Sequence, residues 1–237
     1  MKDDGIKKYG LREGIADAFP IVIGFVPIAM TFGILAKTGE ITLVESILFS
    51  ALVFAGASQF IALNLLIVGA GMGEIIITTL LVNLRHMLMS ASIATKLTKE
   101  IKKYSPLIAF GITDETFSVA SFKEGTLTKG YMLSLEFISY LSWVGGTALG
   151  YILGGVLPDI VKASMGIALY AMFVAILIPE VKKSMRALLL ACVSGCANAI
   201  CKYIFNLPDG WSIVIAIVMI SFLGVLLFGE KEGKVYE

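Results

Sequence analysis

Long apolar runs alternate along this chain with short stretches of glycine, proline and charge. The runs fall at about 18–36, 46–69, 74–96, 105–122, 130–157, 161–179, 187–206 and 211–228, and most reach the ~20 residues that a helix needs to cross a hydrocarbon core. The fourth, SPLIAFGITDETFSVASF, holds Asp114 and Glu115 and would read as a loop in a soluble protein; between two hydrophobic neighbours it reads as a membrane segment. Turn residues separate the runs, as in Gly69 to Gly73, KLTKEIKKYS, KEGTLTKG and LPDG from Leu207. The pattern predicts an all-α polytopic membrane protein with six to eight hydrophobic segments, in one integral membrane domain spanning residues 1–237.

The first run contains Pro20, Gly24, Pro27 and Gly33, and a proline within a helix frees carbonyls that neighbours, water or ligand must satisfy. A broken first helix is expected. AFPIVIGFVPIAMTFG, from Ala18, is echoed by YSPLIAFGITDETFSVA, from Tyr104: proline near the start, glycine a few residues on, then phenylalanine. Interrupted segments at corresponding places would suit an inverted-repeat transporter.

Lysine and arginine placement sets the side of each loop. If every segment crosses and the N-terminus lies inside, Lys96, Lys99, Lys102 and Lys103 fall outside, against the trend. If the first and fourth segments instead enter and leave on the cytoplasmic face, all these lysines lie inside and six true spans remain. Both versions put both termini in the cytoplasm.

Composition sharpens the class. Hydrophobic residues make up 57% of 237 and mean hydropathy is +0.89, beyond the roughly 45–50% apolar content of a soluble domain. The net charge of +1 comes from 19 basic and 18 acidic residues, with no basic tract interleaved with aromatics, so nucleic acid is not an expected partner. The three cysteines, Cys192, Cys196 and Cys201, fall within one apolar run and receive no redox or metal role.

Chemistry concentrates in a few polar groups set among apolar ones. Arg85 and the only histidine, His86, stand in the middle of the third run, where an arginine costs roughly 2.5–3.5 kcal/mol on insertion scales. On a helix Thr79, Asn83, His86 and Ser90 share one face. Arg85 either offers its planar fork to a substrate carboxylate or pairs with Asp114 or Glu115 to hold the bundle together. His86 titrates near neutral pH when solvated, so it is a proton carrier or a structural group. Asp114 and Glu115, beside Thr113, are proton-coupling candidates, and the same stretch also reads as a re-entrant tip.

In the second run, VFAGASQFIALNLL places Ala57, Ser58 and Gln59 after Gly56, where an unwound turn could present backbone groups to a zwitterion. Gln59 is the foremost ligand candidate, against a reading as interhelical glue. Glu136, on a face with Tyr140 and Trp143, is a further coupling carboxylate. Gly145-Gly146, Gly150 and Gly154-Gly155 read as packing grooves. The substrate-binding set is thus Ala57, Ser58, Gln59, Asn83, Arg85 and Thr113, with Met87, Phe60 and Phe117 offering apolar surface. The proton-coupling set is His86, Asp114, Glu115 and Glu136.

One histidine and three cysteines make no ordinary zinc site, and neither an H-E-x-x-H motif nor a P-loop is present. No cofactor is expected and no enzyme is indicated. An ion or small-solute channel and an intramembrane enzyme using His86 and Asp114 are the alternatives to a transporter.

Three stretches carry a resemblance: FAGASQF at 54–60, TTLLVNLRHMLMSASIA at 78–94 and TDETFSVA at 113–120, in that order, with LREGIADAFPIVIGFVPIAMTFGILA from Leu11 also fitting. In these the chain resembles the AzlC-type, azaleucine-resistance family, the large subunit of bacterial branched-chain amino acid exporters. The resemblance implies a secondary transporter in the bacterial cytoplasmic membrane, exporting leucine, isoleucine, valine and analogues on a proton gradient or membrane potential. It also implies a small AzlD-type membrane subunit as partner.

Overall fold

A computed structural model describes residues 8–98, 101–123, 125–156, 158, 160, 174, 177–178, 181–182 and 184–228. The sixth predicted run, 161–179, lies almost wholly outside the described residues, as do Lys99 and the C-terminal lysines. Helices α1 (Leu11–Thr38), α2 (Leu43–Leu52), α3 (Gly56–Ile67), α4 (Met72–Lys96), α5 (Ser105–Gly111), α6 (Asp114–Ser121), α7 (Lys129–Leu153), α8 (Met185–Tyr203) and α9 (Asp209–Phe228) follow the apolar runs closely. Strands β1 (Lys8–Tyr9) and β2 (Thr126–Leu127) pair in parallel. Among the described residues, α1, α4, α8 and residues Gly210–Leu227 of α9 are long and apolar enough to cross a membrane. The protein is a multi-pass, all-α membrane protein.

Contacts divide the chain into two units, Met1–Phe60 with Asn83–Leu169, and Ile61–Val82 with Tyr170–Glu237. Helices α3 and α4 each contribute residues to both.

The first unit is built on α1 and α7. Glycines bring them together: a Cβ at Gly14 would overlap Tyr131 O and Ser134 Oγ, one at Gly33 would overlap Thr147 O, and one at Gly150 would overlap the Met30 backbone. Contacts that run from Gly14 with Tyr131 to Gly33 with Thr147 make the helices parallel. Small residues let backbones approach closely where lipid offers no hydrophobic drive for association.

The expected break in α1 is absent. Pro20 and Pro27 sit inside one continuous helix of 28 residues, although each withholds an N–H from the carbonyl four residues back. The reason is packing: the α7 contacts flank both prolines, at Gly14 before them and at Met30 and Gly33 after them. The echo between the first and fourth runs therefore does not extend to form, because the fourth is split at Ile112 and Thr113 into α5 and α6.

Breaks fall elsewhere. Val53 to Ala55 separates α2 from α3, and Ile112, with extended backbone, ends α5. Thr113 starts α6: its hydroxyl accepts from Thr116 N at 3.3 Å and its N–H donates to Thr116 Oγ1 at 2.8 Å. This is a capping box with threonine in the place usually taken by glutamate or glutamine.

The α5–α6 pair enters and leaves at one end of the unit. Tyr104, just before α5, lies under Lys129 Nζ, 3.9 Å from the ring centroid, while the carbonyl of Ser121, closing α6, accepts from Lys96 Nζ. At the same end β1 pairs with β2 and Leu97 bridges to Leu127. Residues 96–98 and 101–104 thus share an end with residues 8–11, 123 and 125–129. The fourth segment begins and ends at one end of the unit, as a re-entrant segment would, while the first is one continuous helix.

In the second unit α8 and α9 pack through Ala197, Ala216 and Ile220, with Leu190 beside them. Glu74 Oε1 accepts from Gly210 N at 2.7 Å and Trp211 N at 3.2 Å, which places a carboxylate at the start of α9.

Candidate functional site

The polar groups of the first unit gather at the two helix breaks. Arg85, halfway along α4, reaches the first residue of α6: its Nη2 lies 2.9 Å from Asp114 Oδ2. Both side chains are partly open, at 37% and 21% exposure, so this is neither a free surface pair nor a sealed one. Arg85 Nε is buried with no hydrogen-bond partner. The guanidinium thus holds Asp114 through one edge and keeps a donor in reserve.

Asn83, two residues earlier, donates from Nδ2 to Ser58 Oγ at 3.0 Å, and its Oδ1 is also buried without a partner. Ser58 Oγ in turn donates to Ala55 O at 3.0 Å, in the break that precedes α3. Asn83 and Arg85 therefore tie the α2–α3 and α5–α6 breaks to the same stretch of α4. His86 and Glu115 are half-buried and Thr113 is buried.

Gln59 has every polar position engaged. Its Nε2 donates to Phe49 O at 2.9 Å and to Val53 O, and its Oε1 accepts the Trp143 indole N–H at 2.9 Å. Gly56 lies against the same indole, where a Cβ would come within 2.7 Å of the ring. The side chain adds a second donor to two carbonyls at the end of α2 and fixes the break to α7; a ligand on Gln59 would have to displace one of these bonds. Ala57 is buried beside it.

Glu136 lies at the other break. It is 4% exposed, and neither carboxylate oxygen has a hydrogen-bond partner. Its carboxyl rests on Gly111, where a Cβ would sit 2.6 Å from Cδ and Oε2. Gly111 O accepts from Thr116 Oγ1 at 3.1 Å.

Of the apolar candidates, Phe60 is buried with its ring 5.5 Å from that of Phe32, Phe117 is half-buried and Met87 is 69% exposed. The sequence reading missed a second ion pair. Lys123 Nζ lies 2.7 Å from Asp17 Oδ2, which also accepts from Tyr131 Oη at 2.9 Å, and the ammonium stands over the Tyr9 ring. Asp17 and Lys123 are more than a hundred residues apart and fall on no common periodicity. In the second unit Asn64, Asn198, Lys202 and Ser212 line a cavity of about 320 Å³. Among the described residues no cluster of three or more His, Cys, Asp or Glu side chains is placed to hold a metal ion.

Comparison with known proteins adds relatives to this geometry. A family model described as AzlC protein matches residues 20–157. A membrane protein of Archaeoglobus fulgidus is 36% identical over 92% of this chain and 94% of its own length. Inner membrane protein YgaZ of Escherichia coli is 31% identical over 83% of this chain and 82% of its own. The branched-chain amino acid transport protein AzlC of Bacillus subtilis is 27% identical over 93% of this chain and 85% of its own. No solved structure matches.

Proposed function

This chain belongs to the AzlC family, and on that premise we propose that it exports branched-chain amino acids from the cytoplasm as a secondary transporter. Leucine, isoleucine and valine are the proposed substrates, with a proton gradient or the membrane potential as the driving force and a small membrane subunit of the AzlD type as partner. The Bacillus subtilis relative, described as a branched-chain amino acid transport protein, supports the substrate class.

The observation that carries the reading is the meeting of Asn83 and Arg85 with the two helix breaks. Polar groups at membrane depth are expensive and mark transport paths, and broken helices present backbone groups to a substrate at the site. Arg85, with Nε unengaged, is suited to a carboxylate. Asn83 Oδ1, Ser58 and Thr113 supply the shorter polar contacts, and Ala57 leaves room for them. Gln59 holds the α2–α3 break in place. Asp114 faces Arg85, so binding of a substrate carboxylate competes with that pair, and Asp114, Glu115 or His86 takes the proton released or gained.

Efflux of labelled leucine from preloaded vesicles containing the chain, with and without the small subunit, tests the proposal. Efflux above that of empty vesicles, with movement of protons in fixed ratio, is expected. Efflux equal to empty vesicles in both preparations overturns it.

A further inference from the structure

Glu136 is among the residues lining a cavity of about 800 Å³ beside the α5–α6 break, whose wall is almost wholly apolar, with Ile15, Leu107, Phe110, Leu133 and Phe137 around it. Buried polar groups in folded proteins nearly always have a partner. Here two oxygens of one carboxyl, within a residue 4% exposed, have none. Glycine at 111 is what allows that carboxyl to lie on the backbone of the break, since any Cβ would strike it.

The other ionisable groups lining the cavity do not meet this need. Lys129 directs its Nζ to the Tyr104 ring, and Tyr140 Oη donates to Ala51 O at 3.1 Å. Ser134 Oγ is bonded to Leu11 O and Tyr131 O. A single unpartnered carboxyl beneath the wall of an aliphatic and aromatic cavity suits a primary ammonium on a branched apolar body.

We propose that this cavity seats the amino end of the transported amino acid, with the ammonium on Glu136 and the branched side chain against Leu107, Phe110 and Leu133. The proposal rests on the amino-acid transport reading above and adds to it the position and polarity of the substrate. The break at 112–113 then has an acidic group on one side, at Gly111, and the Arg85-bound Asp114 on the other. Charge selection at Glu136 is separate from whatever recognises the carboxylate.

The test uses two fragments of leucine: 3-methylbutylamine, which keeps the ammonium, and 4-methylpentanoate, which keeps the carboxylate. Binding of each to the purified full chain in lipid nanodiscs is measured directly and by competition with labelled leucine. The amine is expected to bind and displace leucine, the carboxylate to do so at least about tenfold more weakly, and Glu136→Gln to weaken amine binding about tenfold or more, as loss of a charged hydrogen bond predicts. Leu133→Trp, which adds bulk to the cavity wall and keeps the Glu136 side chain, is expected to weaken the amine as well. Absence of amine binding to the wild-type chain, equal competition by the two fragments, or full amine binding by a folded Glu136→Gln variant overturns the proposal. Should Glu136→Gln fail to fold, the wild-type comparison of the fragments decides alone. Leucine efflux in wild-type vesicles without amine binding defeats this inference and leaves the transport reading standing; amine binding without leucine efflux defeats the transport reading, and with it the assignment of the site to a transported substrate.

Discussion

Trp143 and Gln59, 84 positions apart in sequence, are joined by a 2.9 Å hydrogen bond from the indole N–H to the amide oxygen, with the amide nitrogen turned back to the carbonyls of α2. Replacing Gln59 by leucine would leave the indole N–H without a partner, and Phe49 O and Val53 O with only the backbone N–H of Val53 and Ala55. At about 1–3 kcal/mol for an unmet buried group, a loss on the order of 1–3 kcal/mol is expected. Thermal unfolding of Gln59→Leu in detergent measures it. An unchanged melting temperature with weakened leucine binding would return Gln59 to the list of substrate ligands.

Arg85 and Asp114 make the second prediction. Removing either partner strands a charge that is only partly open to solvent, so Arg85→Ala and Asp114→Asn should each lose about 1–3 kcal/mol. The exchanged pair, Arg85→Asp with Asp114→Arg, should recover most of that stability. Efflux separates the two uses of the pair: recovery of transport along with stability would reduce it to a brace, whereas stable but inactive protein is the outcome a substrate role requires.

Two glycines on α1 differ sharply in surroundings. Gly33 lies on the α7 backbone, while a Cβ at Gly24 would meet nothing within 4 Å. Gly24→Ala should be neutral or stabilising by about 0.5–1 kcal/mol, from helix propensity and a less flexible unfolded chain. Gly33→Ala should destabilise by about 2 kcal/mol or more, since the parallel helices must separate. The difference between their melting temperatures is the reading; equal values would mean that α1 and α7 do not touch as described.

Placement of residues 96–98 and 101–104 at the same end as residues 8–11 predicts their side of the membrane. Lys96, Lys102, Lys103, Lys123 and Lys129 are brought to one end of the first unit, and such clustering marks the cytoplasmic face. A Lys102→Cys variant, with Cys192, Cys196 and Cys201 replaced, should resist an impermeant maleimide in intact cells and react in inverted vesicles. Labelling in intact cells would reverse the assignment.

Much of this was legible in the sequence. Apolar runs located the described helices, since lipid forces every backbone group into a helix or a protected break, although α1 begins seven residues ahead of its run and the second and fourth runs each divide in two. The cost of Arg85 in an apolar run made pairing with Asp114 or Glu115 one of its two readings, and the pair with Asp114 is present. What the sequence did not disclose is of two kinds. Pro20 and Pro27 obey a local rule that packing overrides, because α7 holds α1 on both sides of them. Contacts such as Trp143 with Gln59, Glu136 with Gly111 and Lys123 with Asp17 join residues with no shared period. The last of these carried no signal in the chain at all.

The parallel packing of α1 on α7 also bears on how the chain is made. About ninety residues separate the end of α1 from the start of α7, so at roughly 5–20 residues per second the ribosome needs on the order of 5 to 20 s to supply the second helix. For that interval α1 stands in the bilayer with its two prolines and its glycine face uncovered, and β1 has no strand to pair with. A nascent chain arrested before residue 129 should therefore expose α1 to proteases and insertion factors that the finished protein excludes.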